Sequence, residues 1–263
     1  MHKYGIILWA VMGVMGVMGV MGGCATAPER STAAPESTSA SESAPVETEN
    51  ASAKGQKVAI QITEQTRDVS EPGCQIKARY FHYGIPTVDQ EIDAFVTSQL
   101  KEARDSLLKE HEADKAEFGA EREIPDYYFM LEAESVRANE EGIDILFSLT
   151  NYRGGAHDGL ALHTLMFDPQ TGKRVDFFDR VQNPEVALDV LSVECGKKVR
   201  EMIEEDMDVE SMIVDGTAPK RENFANILRT DEGFRVYFEP YQVAPWAVGT
   251  LVVDLPWSVL DGV

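Results

Sequence analysis

The chain has 263 residues, 43% of them hydrophobic, with 24 Lys and Arg set against 45 Asp and Glu and a formal charge of -21. Residues 57–263 keep 21 of the basic and 40 of the acidic residues, hence -19 of that charge. A field of this sign repels nucleic acid and anionic lipid head groups and would draw in a basic partner, the plainer reading being an acidic surface that keeps a secreted protein soluble.

At the N-terminus, His2 and Lys3 precede an apolar run from Tyr4 to Met21, followed by Gly22, Gly23 and Cys24. A short basic start, an apolar middle and small residues before a cut make residues 1–23 a secretory signal peptide. Met21, Gly22, Gly23 and Cys24 resemble a bacterial lipobox, which implies lipidation of Cys24 and attachment to a membrane through that lipid. A retained membrane helix is the competing reading, since the run just reaches the roughly 17 residues needed to span a bilayer. Glycine at every third position of the Val-Met-Gly repeats weakens a helix packed on its own merits. Ala25 after the cysteine implies an outer membrane facing the periplasm, where the cell has two membranes. Residues 24–56 are mostly Ala, Ser, Thr, Pro and Glu. They have too little to bury to offset the entropy of ordering, and read as a disordered tether.

The periodicity of the remainder predicts strands at Val58 to Thr63 and Gln75 to Tyr83, turned at Glu71, Pro72 and Gly73. Thr87 as N-cap with Gln90 three residues on predicts a long helix. It buries Ile92, Phe95, Val96, Leu100, Ala103 and Leu107, and is charged all round from Lys109 to Lys115. Strands follow at Tyr127 to Val136, Ile143 to Tyr152, Leu160 to Phe167 and Arg174 to Phe178, joined by short connections into a meander. Asn183 before Pro184 starts a second helix with Leu188, Leu191, Cys195, Val199 and Met202 on one face. A hairpin of Ile227 to Leu228 with Phe234 to Phe238, and a strand at Leu251 to Leu255, complete the chain. The fold class expected is α+β, a mostly antiparallel sheet packed by two main helices. Two related halves, residues 57–180 and 181–263, would share that sheet.

Two cysteines, Cys74 and Cys195, lie in this folded part. In a domain that folds outside the cytoplasm they form a candidate disulfide, worth some 3–5 kcal/mol in the chain-entropy model. A free buried thiol is the alternative, because Cys195 falls on the apolar face of its helix.

The connection Arg153, Gly154, Gly155, Ala156, His157, Asp158, Gly159 joins two alternating strands, and its three glycines read as a loop of special backbone angles. His157, Asp158 and His163 form the best polar constellation for metal binding or acid–base chemistry. The plainer reading has His157 bonding its own loop backbone. Tyr237, Tyr241, Trp246 and Trp257 gather near Pro240, Pro245 and Pro256. They either present rings to a glycan or partner or close the core beneath the glycine loop. No serine elbow, HExxH helix, phosphate-cradling loop, EF-hand spacing or metal-binding cysteine pair occurs, so neither a cofactor, a metal nor a catalytic residue is expected.

Gly154, Gly155, Ala156, His157, then Phe167, Asp168, Thr171, Gly172 and Lys173, and finally the run from Phe238 to Gly249 with Pro240, Tyr241, Ala244, Pro245 and Trp246, resemble a bacterial extracytoplasmic domain pair. That pair forms the outer part of the lysozyme-binding anti-sigma factor RsiV, precedes the catalytic domain of some peptidoglycan deacetylases, and stands alone in many uncharacterised lipoproteins. Arg153 stands where threonine is usual and Trp246 where tyrosine is frequent. The resemblance implies a non-catalytic, envelope-exposed binding module whose partner is a basic lysozyme-like protein or peptidoglycan. Its binding surface would be drawn from Arg153, Gly154, Gly155, His157, Asp158, Tyr241 and Trp246. The competing expectation is an envelope hydrolase or metal enzyme at the His157 loop.

Overall fold

The structure is a computed structural model and describes residues 59–204 and 207–263. The signal peptide, Cys24, the tether and Val58 lie outside the described residues. Among the described residues, no helix is long and apolar enough to cross a membrane.

Strands β1 (Thr63–Asp68), β2 (Cys74–His82), β3 (Tyr127–Asn139), β4 (Gly142–Tyr152), β5 (Gly159–Asp168) and β6 (Lys173–Arg174) form one six-stranded sheet in chain order. All neighbours are antiparallel except β2 and β3, which run parallel because helix α1 (Pro86–Phe118) carries the chain back between them. A second sheet of three antiparallel strands holds β7 (Ile227–Arg229), β8 (Gly233–Phe238) and β9 (Leu251–Pro256). Helices α2 (Pro184–Met202) and α3 (Glu210–Gly216) precede it. The architecture is α+β and mostly antiparallel, as expected. The two halves do not share one sheet; each has its own.

The first sheet separates two cores. On one face α1 lays Val88, Ile92, Val96, Leu100, Ala103 and Leu107 against Ile76, Leu131, Ile145, Phe147 and Phe167. Burying each such aliphatic side chain is worth about 1.5–3 kcal/mol. On the other face Leu162 and Met166 of β5 join α2, α3 and the second sheet in a core with Leu191, Val199, Phe224, Phe234 and Phe238. The alternation of β5 thus serves both cores, odd positions to one and even positions to the other.

Several local expectations are corrected. The first strand lies at Thr63–Asp68, later than Val58 to Thr63. α1 starts at Pro86, with Ile85 as N-cap and no side-chain cap bond; instead the Asp89 carboxylate accepts from the amides of Tyr83 at 2.6 Å and Gly84 at 3.1 Å. Thr87 packs on Gly172, where an added Cβ would come within 1.9 Å of its hydroxyl oxygen. The charged end of α1 is not charged all round. His111 is buried, edge-on to Tyr127 at 5.1 Å, over Gly73, whose φ of +86° and missing Cβ make room for the ring. Past Arg174 the chain leaves the strand for a 3-10 turn, Phe177–Arg180, closed by a capping box between Asp176 and Asp179. Asn183 caps α2 as read, accepting from Val186 at 3.3 Å, but Met202 is exposed.

The cysteines are not bridged. Cys74 opens β2 in the core beneath α1, Cys195 sits on α2 in the other core, and the first sheet stands between them. Both thiols are free, and burial raises both, that of Cys195 to about 12.

Candidate functional site

The β4–β5 connection is fastened at both flanks. The Arg153 guanidinium bonds the Glu110 carboxylate of α1 and the Ser106 hydroxyl at 3.1 Å. On the other side the Tyr128 hydroxyl donates to Oδ1 of Asp158, and the Tyr128 ring stacks on Tyr152 at 5.6 Å. Burial, then that carboxylate, pushes the Tyr128 hydroxyl up to about 12. Of the loop's three glycines only Gly154 needs its freedom, with φ of +81° and Tyr127 3.4 Å from where a Cβ would stand. Fastening the flanks leaves residues 154–157 exposed at the tip.

His157 is aimed by two bonds. Its Nδ1 is 2.8 Å from the carbonyl of Asp158, which can only accept, so Nδ1 carries the proton in the neutral ring. Its Nε2 then accepts from the Tyr241 hydroxyl at 3.1 Å. The imidazole lies flat on the Trp246 indole, centroids 4.5 Å apart and planes 13° apart, with the Tyr241 ring 6.2 Å from the indole. His157 and the Tyr241–Trp246 turn, 84 or more residues apart in sequence, therefore make one cluster of three rings.

The turn that delivers Tyr241 is strained. Tyr241 has φ of +71°, the one non-glycine residue at positive φ among the described residues. Its amide donates to Ala244 at 2.9 Å, and the Gln242 side chain holds the turn by donating to the carbonyls of Gly216 at 3.1 Å and Asn223 at 3.0 Å. After Pro245, a 3-10 turn of Trp246–Val248 ends at Gly249, φ +78°. Tyr241 stays 57% exposed, so the strained turn presents a large ring to solvent.

The residues singled out in the sequence divide. His157, Tyr241 and Trp246 come together; Gly154, Gly155 and Asp158 shape the loop beneath them; Arg153 is turned away to α1. His163 does not join His157. It stacks on Phe95 of α1 at 4.5 Å, and burial followed by Arg174 lowers its pKa. Tyr237 and Trp257 go to the second core, Trp257 against Phe177 and Phe234. Among the described residues no three His, Cys, Asp or Glu side chains meet as a metal would need. The supporting roles of Tyr128, Glu110 and Gln242 were not read from sequence; Gln242 alone carried a signal, lying between the two prolines of the strained turn.

Fold and site together define a two-sheet α+β protein with a cluster of rings, His157 and Tyr241 exposed and Trp246 half-buried, where the first sheet's hairpin loop meets the second sheet's Pro-rich turn. Residues 176–258, which include Tyr241 and Trp246 but not His157, match the family described as "Protein of unknown function (DUF3298)". The chain is 24% identical over 163 residues, 62% of its length, to the peptidoglycan-N-acetylmuramic acid deacetylase PdaC of Bacillus subtilis. It spans only 32% of that relative. Two solved members of the same family share the fold. One is from Bacteroides fragilis, at TM-score 0.57 and 15% identity, covering 78% of this chain and 94% of that one. The other is from Pseudomonas aeruginosa, at TM-score 0.51 and 14% identity, covering 79% and 94%.

Proposed function

We propose that the chain is a lipid-anchored protein of the cell envelope whose folded part binds the glycan of the wall without transforming it. The observation that carries this reading is the stack of the exposed His157 ring on the half-buried Trp246 indole, with the exposed Tyr241 ring beside it. Flat ring faces held in place before a ligand arrives pack well against the C–H face of a sugar, and their rigidity limits the entropy lost on binding. The lipobox-like Cys24 and the tether after it fit an envelope location. So does the resemblance to a relative that acts on peptidoglycan.

A hydrolase at this loop is the weaker reading. Both nitrogens of His157 are engaged, and the Asp158 carboxylate is occupied by Tyr128. The charge of -21 favours a second reading, in which the surface receives a basic lysozyme-like protein. Calorimetric titration of the purified chain with soluble wall fragments and with hen lysozyme, each at low and moderate salt, separates them. Saturable fragment binding that Trp246→Ala removes supports the glycan. Salt-sensitive lysozyme binding alone supports the basic protein, and binding to neither overturns both.

A further inference from the structure

Between the outer edge of β5 and residues 174–179 and 221–227 lies a cleft of about 700 Å³, within the range that holds a small ligand. One wall is strand backbone. The Leu162 amide donates to Oε1 of Glu239 at 2.7 Å, and the Met166 carbonyl accepts from Val175 at 2.9 Å. Even-numbered residues of β5 therefore turn their backbone groups away from β4. Thr164, between them, faces its N–H and C=O toward the cleft, while β6 and Val175 after it cover this edge only from Met166 onward. An open strand edge is a template for another strand.

Four carboxylates, Asp176, Asp179, Glu222 and Glu239, line the cleft beside Arg174 and Arg221, so positive charge is confined to two points in an acidic wall. Arg221 is paired with Asp176 at 2.6 Å and lies 4.3 Å over the Phe178 ring. Arg174, at the β6 end, is exposed and makes no ion pair among the described residues. His163 beside it has its pKa lowered by burial and by Arg174, so the unpaired positive charge at this end is the guanidinium. Glu239 and Gln242, which also line the cleft, belong to the turn that presents Tyr241 on the other side. Cleft and ring cluster thus share one structural element.

We propose that the cleft takes a short extended peptide bearing a carboxylate, which pairs its backbone with Thr164 and seats its carboxylate on Arg174. This deepens the wall-binding reading and rests on it: the glycan lies on the His157–Trp246 stack and the peptide stem it carries runs into the cleft. The full chain in mild detergent is titrated with a synthetic stem peptide ending in D-alanine, and separately with the N-acetylglucosamine–N-acetylmuramic acid disaccharide. The peptide binds. Arg174→Gln weakens it about tenfold and Arg174→Glu further, neither changing disaccharide binding, and hydrogen exchange at the Thr164 amide slows with peptide alone. No peptide binding, unchanged peptide affinity in Arg174→Glu, or an unprotected Thr164 amide overturns the cleft assignment while leaving the ring stack standing. Disaccharide failing to bind the wild-type chain overturns the reading on which this one rests, and both fall together.

Discussion

Nε of Arg229 donates to Oδ1 of Asp144 at 2.7 Å, and the two side chains keep 1% and 0% of their exposure. The pair crosses from β7 to β4, and Nη2 of Arg229 reaches the Phe167 carbonyl at 3.3 Å. Gly142 leaves the space it needs, since a Cβ there would stand 2.5 Å from Nη2. The two sheets are joined by a charge pair shut off from bulk solvent.

Removing one partner strands the other. Arg229→Met or Asp144→Leu alone is expected to lower unfolding stability by about 3–5 kcal/mol, and the double replacement to recover most of that loss. Urea unfolding of the four proteins checks this. Singles that sum to the double would show that the pair is not coupled.

At the ring cluster, stability and binding should come apart. His157→Ala removes a stacked pair worth about 0.5–1.5 kcal/mol, leaves the fold intact, and weakens binding of wall fragments. Tyr241→Gly relieves a strained φ worth about 1 kcal/mol while losing the ring, so its melting temperature stays close to wild type and its fragment affinity falls. A Tyr241→Gly protein that binds as well as wild type would remove Tyr241 from the site.

Free thiols in two separate cores predict slow chemistry. In a Cys24→Ser chain, a thiol-reactive dye should label neither Cys74 nor Cys195 at neutral pH in the folded state, and both in urea. Dithiothreitol should leave the melting temperature unchanged. A drop on reduction would mean a bridge forms.

Protonation acts through His163. Its folded pKa lies below the ordinary 6.5, so the unfolded chain binds the proton more readily. Stability is therefore full above 6.5 and is lost as pH falls through that value toward the lower folded pKa. The urea midpoint should fall between pH ~7.5 and ~5.5, and His163→Phe, which keeps a ring on Phe95, should flatten that part of the profile.

What was legible in the sequence was what is local. The β4–β5 hairpin follows from alternation at Ile143, Ile145, Phe147 and Leu149, and the start of α2 from Asn183 and Pro184. Phe177 and Phe178 extended a strand pattern by being apolar, although the capping box of Asp176 and Asp179 turns them into a 3-10 helix. Asp144 and Arg229 are charges inside apolar strands, a signal that needed two distant positions to be read together. Likewise His157 and the Tyr241–Trp246 segment were each singled out, but their meeting depends on how two sheets pack. The split of the tyrosines, with Tyr237 buried and Tyr241 exposed, follows from a backbone turn at Tyr241 that no side-chain pattern encodes.

The parallel pairing of β2 with β3 sets an order of assembly. Strands β3 to β6 are joined by short turns and can zip together early, whereas Cys74 must find Tyr127 across the whole of α1. Closing that loop costs entropy before any contact repays it. The β1–β2 ribbon is therefore expected to dock last, and pulse-labelling during refolding should show amides of β4 protected before those of β2. Until it docks, the β3 edge stays open, and that interval is when this chain is most exposed to aggregation.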